Sequence, residues 1–196
     1  MKSRERVLAA AVAVLRDEGL AGLSIESVAA RSGVAKTTIY RQFADREALH
    51  VAAVHSVGCQ VPVPHTEDLL ADLTQFATAL NQMLRTGDFG VVMPSALDGA
   101  ERSESFAAMM HEVGAQRRKV LAERLRRGQA DGVLPDHVDL DLLTSQLVGP
   151  LFYRRFISRQ PTGPAVVARH VAAVVTPLLS STCASPARDA RSRSAR

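Results

Sequence analysis

The stretch SIESVAARSGVAKTTIYRQF, residues 24–43, decides how this chain is read. Ser24 stands where a helix N-cap belongs, because its hydroxyl can accept from a first-turn amide. Ser27 occupies the position where a capping box would carry Glu or Gln, so the spacing supports only the cap itself. The helix it opens runs to about residue 32 and turns Ile25, Val28 and Ala29 inward. Gly33 then supplies the permissive backbone of a tight turn. A further short helix, from 35 to about 43, sets Ile39 and Phe43 four apart on its packed face. Lys36, Thr37, Tyr40 and Arg41 are left on the other face. Two short helices joined by a glycine turn match a helix-turn-helix, whose second helix enters the DNA major groove. The exposed side chains suit that use: Arg and Lys carry charge and donors, Thr bonds a phosphate or packs its methyl on thymine, and a Tyr hydroxyl reaches the backbone. An ordinary helical hairpin with a polar face in water is the competing reading.

Outward from this stretch, the chain has 196 residues, enough for one large domain or two small ones with a real core, and 46% of them are hydrophobic. The aromatic fraction is 4% with no Trp, while Ala, Val and Leu abound, a composition that favours packed helices over sheet. An all-α fold is expected. Cys59 and Cys183 lie far apart and outside any metal-ligand spacing, so neither a disulfide framework nor a zinc site is signalled. Cys59 is a candidate redox thiol, though a lone buried thiol is commonly inert. No uncharged run approaches the length of a membrane span, and the N-terminal apolar run is broken by Arg16, Asp17 and Glu18; a cytoplasmic protein is expected. The net charge of +4 divides into +2 over residues 1–57, −1 over 58–183 and +3 over 184–196. A basic N-terminal segment favours a polyanion. The tail SPARDARSRSAR lacks apolar bulk and reads as disordered.

Along the chain, Val7, Leu8, Ala11, Val14 and Leu15 mark one face of a first helix over 4–18, with Gly19 as its stop. Asp45 caps a fourth helix carrying Leu49, Ala53 and Val57. PVPH, residues 62–65, marks a kink or domain boundary. From residue 66, Leu69, Leu73, Phe76, Leu80 and Leu84 form one stripe. A shorter helix follows at about 91–100, then a long one whose basic end, with Arg124, Arg126 and Arg127, reads as a solvated face. The segment 138–159 should bend at Gly149 and Pro150. A last apolar helix follows PTGP. The expected architecture is about nine helices: a head over 1–50, a larger bundle over 51–182 and a tail over 183–196. The last two helices carry so much apolar surface that they are expected to pair with their copies, through Leu143, Leu147, Leu151, Phe152, Val167, Val171, Val174 and Leu178, the competing reading being that both stripes are purely internal core.

The longer stretch GLAGLSIESVAARSGVAKTTIYRQFADREAL, residues 19–49, closely resembles the DNA-binding domain of the tetracycline-repressor-like (TetR) family. The resemblance implies an all-helical homodimer that binds a palindromic operator, usually represses, and releases DNA when a small molecule enters its C-terminal domain. By position, Lys36, Thr37 and Thr38 fall where the family reads bases or nearby phosphates, and Tyr40 falls on its phosphate-contacting tyrosine. Ser24 and Arg46 would also grip the DNA backbone. Arg46 replaces a common Lys, which changes donor geometry, and Gln42 replaces a common His. The stretch LLTSQLVGPLFYRRFISRQP more loosely resembles a branch of the family in which this helix joins the dimer interface.

Met83, Met93, Phe106, Met109 and Met110 fall in the middle helices, where thioethers and aromatics line adaptable apolar pockets, and His111 could orient a polar ligand group. The same residues also suit plain core. No phosphate loop, GxSxG, HExxH or paired-carboxylate pattern is present, and the six histidines show no metal-ligand spacing. Catalysis is not expected, nor is a cofactor. An architectural DNA-binding protein without an inducer is the remaining alternative.

Overall fold

The computed structural model describes residues 2–57 and 61–182; Cys59, Cys183 and the basic tail lie outside the described residues. Nine α-helices are present among the described residues: α1 Ser3–Gly22, α2 Ile25–Ser32, α3 Lys36–Tyr40, α4 Arg46–Ser56, α5 Leu69–Thr86, α6 Asp88–Arg102, α7 Glu104–Ala130, α8 Leu140–Phe152 and α9 Pro164–Thr182. A π-helical turn, Tyr153–Ile157, continues α8. No strand is found among the described residues. The fold is all-α, as composition and periodicity predict.

The head is built from α1 to α4. Helix α1 breaks at Gly19, which takes a positive φ of 68°, and a short final turn carries the chain to Gly22. Val7, Ala11, Val14, Leu23, Ile25, Val28, Ile39, Phe43 and Leu49 are buried together beneath it. Ala29, expected on the inward face, is only half-buried. Helix α3 ends its regular part at Tyr40, but the Phe43 amide still donates to the Ile39 carbonyl at 2.9 Å. The turn therefore extends to the expected boundary and seats Phe43 under the guanidinium of Arg4, 4.9 Å from the ring centre.

The larger bundle packs α5 between α6, α8 and α9, with α7 against α6 and α8. Its core of leucines and valines joins that of the head without interruption. Helix α8 continues without interruption through Gly149 and Pro150, and the irregularity falls later, in the π turn. Helix α6 likewise holds Pro94 and spans more residues than expected.

Two sequence expectations are corrected by burial. Arg124 does not belong to a solvated face: it is 3% exposed and its Nε donates to Asp72 Oδ2 at 2.7 Å. Asp72, 1% exposed, also accepts from the Thr66 hydroxyl at 2.7 Å and the Thr66 amide at 2.9 Å. Burial works to raise the Asp72 carboxyl, but the Thr66 and Arg124 hydrogen bonds outweigh it and hold the group below its usual range. Arg126 and Arg127 are exposed as expected.

The second correction concerns the predicted subunit contact. Leu143, Leu147, Leu151, Val167 and Val171 are at most 2% exposed in the single chain, so they form its own core. Phe152 is half-buried and meets Phe89 edge-on at 6.4 Å, and Val174 and Leu178 pack partly against the same core. A helical apolar stripe reports that a face is covered without reporting what covers it, and here α5 covers α9 while α7, α9 and α5 cover α8. The outward stripes are different residues: Leu142, Tyr153 and Ile157 are 55%, 57% and 70% exposed.

Candidate nucleic-acid interface and its coupling to the bundle

The entry to α2 is fixed by two serines. Ser24 Oγ accepts from the Ser27 amide at 3.0 Å, and Ser27 Oγ accepts from the Ser24 amide at 3.0 Å. This is a complete capping box in which Ser27 replaces the usual acid, a role the sequence reading withheld from it. Ser24, expected to hold DNA, thus has its oxygen committed to the cap and is half-buried.

Helix α2 ends on Gly33 at φ 65° and ψ 23°, the left-handed conformation that favours glycine. A side chain there would also approach Arg6 Nη2 to 3.1 Å, and Arg6 donates from that atom to the Ser32 carbonyl at 2.6 Å. Arg6, not identified from sequence, therefore closes the C-terminal end of α2 and ties it to α1. Arg31 reinforces the contact through Asp17 at 2.6 Å.

With the turn locked, α3 presents Lys36, Thr37, Tyr40 and Arg41 to solvent, and Tyr40 is 53% exposed. Thr38 is half-buried. Lys36 Nζ donates to Glu26 Oε1 at 3.0 Å, which spans the turn between α2 and α3. That hydrogen bond, followed by a backbone amide, lowers the Glu26 carboxyl from its ordinary value. Gln42 is turned away from this surface: its amide donates to Ser3 Oγ at 3.3 Å and its Oε1 is buried. Arg46 is exposed but donates to the Leu20 carbonyl at the end of α1. Of the eight predicted DNA-facing residues, the structure gathers Lys36, Thr37, Tyr40 and Arg41 on one exposed face, with Thr38 at its edge. Ser24, Gln42 and Arg46 are engaged by neighbouring protein groups.

Helix α4 carries the head onto the bundle by packing against α1, α6 and α7. Glu47 Oε1 accepts from the hydroxyls of Ser103 at 2.5 Å and Ser105 at 3.0 Å, at the start of α7. His50, 4% exposed, lies 4.7 Å from the Phe106 ring and 3.1 Å from Ser95 Oγ. Ser95 donates its proton to the Val92 carbonyl at 2.8 Å, which leaves its oxygen to accept from His50 Nε2. A second tie runs from Arg16 of α1 to Asp88 at the start of α6. A cleft of about 200 Å³ opens at this junction, bordered by Leu20, Arg46, Glu47, His50, Asp98, Gly99, Arg102, Ser103 and Phe106. Of the six predicted ligand-pocket residues, Phe106 alone borders it. Met93 is 4% exposed core, Met83, Met109 and Met110 are half-buried, and His111 is exposed on α7. His50 went unidentified in the sequence, although it shares a face with Leu49, Ala53 and Val54.

Burial and then the nearby Arg46 charge lower the His50 imidazolium from 6.5 to about 4. Between these values the unfolded chain binds a proton that the folded chain does not. Stability is therefore full above about pH 6.5 and is lost as pH falls toward 4. In urea unfolding at pH 7 and pH 4.5, a His50→Gln variant should lose less stability on acidification than the wild type, by on the order of 2 kcal/mol. Equal losses would contradict a neutral, buried His50.

Among the described residues, no helix is long and apolar enough to cross a membrane. A family profile for bacterial regulatory proteins of the tetR family matches residues 7–53, and a tetracyclin repressor-like C-terminal domain profile matches residues 63–174. The chain is 26% identical to the uncharacterized HTH-type transcriptional regulator YdeS of Bacillus subtilis over 158 residues, 80% of this chain and 79% of that one. It is similar to the crystal structure of the TetR family transcription regulator SCO0332, with 30% identity, a TM-score of 0.66 and coverage of 90% and 98% of the two chains. The flavonoid-responsive regulator FrrA shares the fold at a TM-score of 0.67, with 21% identity and coverage of 91% and 96%.

Proposed function

The chain belongs to the TetR family of helix-turn-helix transcriptional regulators, and from that premise we propose that it is a homodimeric repressor of a palindromic operator, released by a small molecule. The observation that carries the reading is the rigid α2–α3 unit, closed by the paired serines and Gly33, with Lys36, Thr37, Tyr40 and Arg41 on its open face. A dimer sets two copies of α3 in successive major grooves about 34–36 Å apart. Lys36 reads the groove, exchanging Glu26 for a base edge or phosphate, while Tyr40 and Arg41 hold the backbone. Ser24 supports this surface through the cap, and Arg46 reaches phosphate only by leaving the Leu20 carbonyl.

Dimerisation in this proposal uses the outward faces of α8 and α9. Leu142, Tyr153 and Ile157 project from α8 and the π turn, and Ala165, Ala168 and Ala173 are exposed along α9, small enough for close helix approach. Release then follows from a ligand entering between α4, α6 and α7, where Glu47 and His50 link the head to Ser103, Ser95 and Phe106. A flavonoid-responsive regulator on the same fold supports a small-molecule signal as the kind of input. The protein acts on DNA in the cytoplasm.

Fluorescence anisotropy with operator DNA tests the assignments. Tyr40→Phe should weaken binding by about 1–2 kcal/mol at physiological salt, uniformly across operator variants. Lys36→Ala should instead change the ranking of base-substituted operators; a uniform loss would make it a phosphate contact. Unchanged affinity for both variants would remove α3 from the interface.

A further inference from the structure

A second concavity lies in the bundle, away from both the head and the α4 junction. It has a volume of about 320 Å³ and is bordered by Arg85, Arg154, Arg155 and Arg159 together with Asn81 and Thr162. No carboxylate borders it, and none of the four guanidinium groups has an ion-pair partner among the described residues. That is a concentration of positive charge around an open concavity, where self-repulsion favours holding something negative.

The four arginines are not equivalent. Arg154 is the frame: it donates to Thr162 Oγ1 at 3.0 Å, Gln160 Oε1 at 2.7 Å and the Pro161 carbonyl at 2.6 Å. Asn81 Nδ2 holds the same loop from α5, through the Thr162 carbonyl at 2.9 Å. Arg155 Nε donates to the Leu84 carbonyl at 2.9 Å and its guanidinium lies 5.1 Å from the Phe156 ring centre, while its remaining nitrogens make no other hydrogen bond among the described residues. Arg85 and Arg159 make no hydrogen bond or ion pair among the described residues, and both are exposed. Helix C-termini attract cations through their dipoles, which accounts for Arg85 in the last turn of α5 and for one arginine after α8. It does not account for all four turned toward one concavity without an acid.

The backbone is unusual at the same place. Helix α8 widens into the π turn, a form that recurs at functional sites, and the Ser158 amide donates back five residues to the Tyr153 carbonyl at 2.9 Å. Arg159 follows at φ 52°, the one non-glycine residue with positive φ among the described residues. Strain of this kind persists where the surroundings enforce it, and here it places a guanidinium at the rim of the pocket.

We propose that this pocket is a binding site for a small soluble phosphate ester carrying at least two negative charges, gripped by Arg85, Arg155 and Arg159 within a frame set by Arg154 and Asn81. Guanidinium groups match phosphate oxygens bidentately, and a concavity of about 320 Å³ suits a compact ligand better than a flat anionic surface. The site is independent of the DNA surface, so its test omits DNA.

The probe is inorganic pyrophosphate, titrated calorimetrically into the full-length protein at 150 mM KCl. The wild type should bind saturably, and an Arg85→Ala/Arg159→Ala double variant, whose altered side chains make no hydrogen bond or ion pair among the described residues, should bind at least tenfold more weakly. Its helical circular dichroism should match the wild type. Arg126→Ala, exposed on α7, should bind as the wild type does. Vesicles of phosphatidylglycerol should not co-sediment with the protein. Absence of saturable binding, equal binding by the double variant, equal loss in Arg126→Ala, or capture by vesicles without a pyrophosphate response would overturn the assignment.

Discussion

Arg124→Ala should lower the free energy of unfolding by about 3–5 kcal/mol, and Asp72→Ala by a similar amount. Each truncation leaves the other charge buried in a site that is almost closed to water, with Asp72 at 1% and Arg124 at 3% exposure. The damage extends beyond one pair. Thr66 donates to Asp72 through both its amide and its hydroxyl, and Arg124 Nη2 donates to the Thr66 carbonyl at 3.1 Å, so the network anchors the approach to α5 onto α7. A double replacement by apolar residues of similar volume should recover most of the loss, because the costly element is an unpaired charge in low dielectric. The depressed Asp72 carboxyl adds a pH signature. Its contribution is present above the ordinary carboxylate range and disappears as pH falls through the lowered folded value. Urea unfolding at pH 7 measures the variants; a loss below about 1 kcal/mol for either single substitution would contradict a desolvated pair.

Ile157→Asp should convert the protein from dimer to monomer at micromolar concentration and reduce operator affinity by on the order of a hundredfold. Ile157 is 70% exposed in the single chain, an unusual place for a large aliphatic side chain, and it continues a stripe with Tyr153 and Leu142. If that stripe meets its copy across a two-fold axis, an aspartate is buried twice without a partner, at several kcal/mol per charge. Two heads that are no longer joined lose the effective concentration that makes the second half-site bind. Leu147→Asp, by contrast, should unfold the protomer, since Leu147 is 1% exposed within its own core. Sedimentation velocity separates the two effects. A wild-type monomer, or an Ile157→Asp variant that remains dimeric, would contradict the proposed interface.

The head was legible because its signals are local. A hydroxyl cap, a glycine at a positive-φ turn and Ile39 and Phe43 one turn apart dictate two short helices without help from distant residues. Even there, the role of Ser27 is not legible, because a short hydroxyl reaches the Ser24 amide only in the folded geometry. The contacts of Gln42 and Arg46 were not legible at all, since they depend on Ser3 and Leu20 of another helix. Long-range pairing explains the other errors. Nothing in the sequence couples Arg124 to an aspartate 52 positions earlier, so a basic run looked solvated when one member was buried. Likewise, periodicity locates the covered face of α8 and α9 but cannot say that helices of the same chain, α5 and α7, are the cover. The arginine pocket was invisible for the same reason, since Arg85 joins the others only through the packing of α5 beside the π turn.

The central claim is that two α3 helices read a two-fold symmetric operator. Its most direct test is selection of bound fragments from sheared genomic DNA, followed by footprinting of the selected fragment with the wild type and Lys36→Ala. The expected result is a protected inverted repeat whose half-sites lie one helical turn, about 10 base pairs, or a multiple of it apart, with base preference altered in the variant. Protection without sequence preference, or a single unpaired half-site, would contradict it.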